Sequence, residues 1–69
     1  IFTTQIGVNT VLIATNQAKI TALTATGGVA AQKQILDIND QNIELAKLNV
    51  DLKIAIESST YLSNTVKTI

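Results

Sequence analysis

At 69 residues the chain is one domain at most, and a chain this short usually gains stability from disulfides, a metal or partner subunits. Cysteine and histidine are absent, which removes disulfide frameworks and the commonest metal and nucleophile chemistries, and leaves association as the best-fitting route. The formal charge is zero and every basic residue is a lysine, so no guanidinium is present to grip phosphate or stack on bases, which argues against a nucleic-acid partner.

The first element is predicted as a helix over about residues 4–26. Phe2, Ile6, Asn9, Ile13, Asn16, Ile20 and Leu23 follow alternating steps of four and three, the spacing of a narrow helical seam. An isolated amphipathic helix shows a wider apolar stripe, so this seam points to helices packing on copies of themselves. The stretch carries a single charge, Lys19, and is otherwise built from Ile, Val, Ala, Thr, Asn and Gln.

Gly27 and Gly28 form the one strong punctuation point in a chain without proline. In the first stretch Ile6, Ile13 and Ile20 take heptad position a, with Asn9, Asn16 and Leu23 at d. Downstream, Ile38, Leu45, Leu52, Ser59 and Val66 recur as a, with Gln41, Leu48, Ala55, Leu62 and Ile69 as d. The change of phase equals a four-residue insertion, which a continuous coiled coil absorbs by local unwinding. Two readings follow: the glycine pair lies inside one long, gently broken helix, or it ends the first helix and opens a hairpin. The continuous reading is preferred, because a hairpin leaves over a third of the longer arm without a partner in its own chain.

The second element is predicted as a helix over about residues 30–67. Besides its a/d seam it carries Leu36, Ile43, Val50, Ile54 and Tyr61, mostly at outer f and c positions that a lone coiled coil leaves in water. Five apolar residues on one stripe mark a second contact surface, which further helices would cover. Asp37, Glu44 and Asp51 form an acidic row balanced by Lys33, Lys47 and Lys53. The segment from Asp37 to Leu48 fails the calcium-loop pattern, with Asn42 where glycine is needed and Leu48 where the closing glutamate belongs.

Asparagine inside a helical seam is costly unless its amide finds partners, and such residues set register and chain number. The heptad Ile6-Gly7-Val8-Asn9-Thr10 resembles the Ile-x-x-Asn-Thr repeat of trimeric autotransporter adhesin stalks and comparable fibre proteins, and Ile13-Ala14-Thr15-Asn16-Gln17 repeats it with Gln for Thr. The resemblance covers about two heptads and stops at Leu23. It implies three parallel chains, with inward Asn9 and Asn16 rings able to hold an axial anion or water.

Catalysis has almost no foothold, since lysines, Tyr61 and carboxylates form no pattern suggesting a cleft. No cofactor or metal is expected. Polar residues interrupt every apolar window of spanning length, which argues against a stable membrane span. A first residue of Ile1 marks a processed product or a piece of something longer. The sequence therefore predicts an all-α, non-enzymatic assembly unit, with long helices in a parallel coiled coil, most simply a trimer, or in a multi-helix bundle. Stalk, fibre, fusion-protein core and open filament all fit this description. The composition, rich in Thr, Asn and Gln and low in charge, suits an extracellular, cell-surface or virion setting.

Overall fold

The computed structural model describes residues 1–68. Two helices, α1 (Phe2–Thr26) and α2 (Val29–Thr68), make up an all-α hairpin with extents of 62 × 15 × 12 Å. The glycines stop α1, and the seam then folds back on α2.

The turn is set by backbone conformation. Gly27 and Gly28 both have positive φ, 72° and 92°, a region where L side chains are strained. The Gly27 N–H still bonds the Leu23 carbonyl at 2.9 Å, which closes α1. The Gln32 N–H bonds the Gly28 carbonyl at 3.1 Å, which opens α2. With both glycines outside the helical region the chain reverses direction, so the continuous-helix reading gives way to a hairpin.

α1 is rich in threonine, a residue with modest helix propensity. The hydroxyls of Thr10, Thr15, Thr21, Thr24 and Thr26 each donate to the carbonyl four residues back, at 2.8–3.1 Å. Each of these hydroxyls is thereby satisfied within its own helix.

One register relates the two helices. Asn9 faces Asn49 and Asn16 faces Asn42. The same register sets Ile6 opposite Leu52, Ile13 opposite Leu45, Ile20 opposite Ile38 and Leu23 opposite Ile35. All eight of these residues are half-buried, and Phe2 at the open end is exposed. Aliphatic layers therefore alternate with amide layers along the interface. Close to the turn the small side chain of Ala31 is buried, where the helices converge.

α2 outruns α1. Every residue from Glu57 to Lys67 is exposed, so the last turns of α2 have no cover from their own chain. Two helices alone cannot enclose a core, and no large side chain among the described residues is fully buried. Ile69, assigned to the seam by heptad counting, lies outside the described residues.

Candidate functional site

The most specific chemistry in the molecule is the pair of amide layers between the helices. Asn9 is 3% exposed, Asn16 8% and Asn42 9%, making them the most buried polar side chains described. Burial at that level requires hydrogen bonds. Asn9 Nδ2 donates to Asn49 Oδ1 at 3.0 Å, and Asn9 Oδ1 accepts from Gln5 Nε2 at 2.9 Å. Asn49 Nδ2 in turn reaches Thr10 Oγ1 at 3.4 Å, a long bond that extends the layer to the surface. This outer layer is a four-residue chain of polar groups.

The inner layer is shorter. Asn16 Nδ2 donates to Asn42 Oδ1 at 2.9 Å, but Asn42 Nδ2 is buried with no acceptor among the described residues. A donor left in that state costs about 1–3 kcal/mol. The two layers together work as a register device, since a slip of one residue would break both and bury four unpaired amides. Asn9 and Asn16 thus have their amides engaged within one chain, by Asn49 and Asn42. An axial ring in a parallel trimer would require the hairpin to open.

The remaining seam assignments divide. Ile38, Leu45, Leu52 and Ala55 are half-buried on the side of α2 that faces α1 or beside it. The second column of that face is Asn42, Asn49 and Ile56, not Gln41, Leu48 and Leu62. Leu48 is 50% exposed, and Leu62 and Val66 are more exposed still. The column runs through the asparagines because amides on α2 are what satisfy the amides on α1. Asn42 and Asn49 recur at seven as Asn9 and Asn16 do, which sets them at e in the apolar frame and at d after a frame slip; the slipped frame is the one that meets α1.

Leu36, Ile43, Val50, Ile54 and Tyr61 are all exposed on α2. They lie roughly a third of a turn around α2 from the face that meets α1, since Ile43 and Val50 directly follow Asn42 and Asn49, and each keeps over half of its surface in solvent. Val8, Val11 and Leu12 are exposed on α1 as well. Two shallow open grooves run beside these residues. One, of about 450 Å³, is lined by Gly7, Val8, Val11 and Leu12. The other, of about 600 Å³, is lined by Leu12, Asn16, Lys19, Asp40, Gln41, Glu44 and Leu45. Neither encloses a small molecule in the way a ligand pocket does.

Charged groups contribute little structure. Lys47 Nζ sits 3.9 Å from Glu44 Oε1, with both side chains mostly in solvent. Such a pair is worth well under about 1 kcal/mol. Among the described residues, no three carboxylates, histidines or cysteines gather where they could hold a metal ion. No described helix is long and apolar enough to cross a membrane. No protein-family model, curated protein or solved structure gives a match to this chain.

Proposed function

We propose that the chain is a non-enzymatic structural element, a helical hairpin that assembles with copies of itself into a bundle, stalk or fibre. One observation carries the reading. The hairpin holds its amides inside and leaves five large apolar side chains in a row on the outer face of α2. A solvated row of that kind marks an interaction surface, and covering each aliphatic side chain is worth about 1.5–3 kcal/mol. Neutral net charge removes the long-range repulsion that would keep copies apart.

The absence of histidine and cysteine, the self-satisfied threonine hydroxyls and the open character of both grooves all favour a mechanical role over a catalytic one. A second reading, the helical core of a membrane-fusion protein, draws support from the hairpin at Gly27 and Gly28 and from the same outer stripe, which would serve as a docking groove. An open filament would use the stripe in contacts that do not close. An extracellular, cell-surface or virion location is part of the proposal and rests on composition.

Solution mass measured by sedimentation over a concentration series, with helicity followed in parallel, tests this. The expected result is a helical species with a mass that is a whole multiple of the single chain. A fixed multiple favours a bundle, stalk or fusion core, and masses that grow with concentration favour the filament. A helical monomer at every concentration would overturn the assembly reading.

A further inference from the structure

We infer that two hairpins pair through the outer stripe of α2, antiparallel, about a two-fold axis that passes between Leu48 and Asn49. This deepens the assembly reading and rests on it, by naming the partner as a second copy and the contact as α2 against α2.

The spacing of the stripe is the first observation. A contact between identical surfaces related by a two-fold axis must be self-complementary, so each residue on one side needs a mate on the other. Along α2, Leu36 and Tyr61 lie at equal distances from the point between Leu48 and Asn49, and so do Ile43 and Ile54. Val50 has Lys47 as its mate, whose aliphatic stem can lie along an apolar surface while its ammonium stays in water. An antiparallel pair therefore stacks Leu36 on the partner's Tyr61, Ile43 on the partner's Ile54 and Val50 on the stem of the partner's Lys47.

The second observation is the exposed end of α2. The end of α2 that α1 fails to cover, exposed from Glu57 to Lys67, then lies against the first half of the partner's α2. The uncovered end and the exposed stripe are resolved by one operation.

Charge agrees with this geometry. On one flank of the stripe the two-fold sets Lys47 of each chain beside the partner's Asp51, and Asp40 beside the partner's Ser58. On the other flank Glu57 meets the partner's Asn39. The two Lys47 side chains lie nearest the axis, about 4.5 Å apart along the helices at 1.5 Å per residue, and the partner's Asp51 beside each offsets their repulsion. The stripe lies roughly a third of a turn around α2 from the face that meets α1, so the two α2 helices form the middle of the dimer and each α1 packs on the flank of its own α2.

Because the chain has no cysteine, single-cysteine variants report contacts cleanly. Leu36→Cys chains mixed with Tyr61→Cys chains under mild oxidation should give at least about tenfold more disulfide-linked dimer than either variant alone, since only the mixed pair brings the sulfurs within bonding reach. Ile43→Asp should weaken the dimer at least about 100-fold, as two contacts per dimer are lost, while helicity of the separated hairpin is kept. Efficient self-linking of Leu36→Cys alone would show a parallel contact and overturn the proposal while leaving assembly standing. An oligomer that forms with no linking in any combination would place the contact elsewhere, with the same consequence. A monomer by sedimentation would overturn both.

Discussion

The face of α2 that meets α1 carries Asn42 and Asn49 among Ile35, Ile38, Leu45, Leu52 and Ile56, whereas a separate face, roughly a third of a turn away, carries Leu36, Ile43, Val50, Ile54 and Tyr61 in solvent. The usual distribution places the purely apolar face inward. Here the inner face mixes amides with aliphatics and the outer face is the more apolar of the two. The inner face selects register and the outer face offers association energy. A helix so divided is half of an interface as well as half of a hairpin, and its two tasks can be perturbed separately.

The largest effect is expected from Ile13→Asp. Its side chain is half-buried opposite Leu45, between the two amide layers, and a carboxylate there has no cationic partner. A loss of about 2–4 kcal/mol should follow, enough to unfold a hairpin with so little core, and circular dichroism should show it. Glu57→Ala, on the exposed end, should change stability by less than about 0.5 kcal/mol. Equal tolerance of both would mean that the amide face is not the inner one.

Replacing both Gly27 and Gly28 by Ala comes next. An alanine at either positive φ costs about 1–2 kcal/mol, and the pair also raises the propensity for an uninterrupted helix. Small-angle scattering should show the maximum dimension growing from near the hairpin's 62 Å toward about 100 Å, the length of a single helix at 1.5 Å per residue. An unchanged dimension would show that the seam alone is strong enough to enforce the turn.

Asn16→Leu sharpens the account of the inner face. Alone it leaves the Asn42 amide buried without its partner and should cost about 1–3 kcal/mol. Combined with Asn42→Leu, which also removes the orphaned Nδ2, it should recover that loss or exceed wild-type stability, at the expense of a unique register. Additive losses in the double variant would show that the two amides do not act as a pair.

A smaller effect, and a gain, is expected at Gly7. A Cβ there meets nothing within 4 Å and the backbone is helical, so Gly7→Ala should stabilise the hairpin by about 1 kcal/mol in thermal unfolding. A drop in association by the same substitution would reveal that the outer side of α1 is also a contact, through close approach at the glycine.

Much of this architecture can be read from spacing. The alternating ladder of α1, the punctuation at Gly27 and Gly28, and the exposed stripe of α2 follow from helix geometry, which links residues three and four apart whatever the surroundings. The second column of the inner face followed only as an alternative, a slip of frame that the seven-residue spacing of Asn42 and Asn49 allows. Leu48 is a better seam residue than Asn49 by apolarity, and it is the more exposed of the two. An asparagine is favoured in an interface only when another amide stands opposite, a condition no local pattern states.

The choice between one long helix and a hairpin was also open in the sequence, since a phase shift and a glycine pair are compatible with either. What composition and periodicity determined by themselves is an all-α chain with a narrow seam, a single break and too few bulky residues to close a core, because these depend on propensity and helical repeat. What only the tertiary structure decided is which face of α2 turns inward. That choice rests on Asn9 and Asn16 meeting Asn49 and Asn42 in one shared register, because a buried amide without a partner is costly.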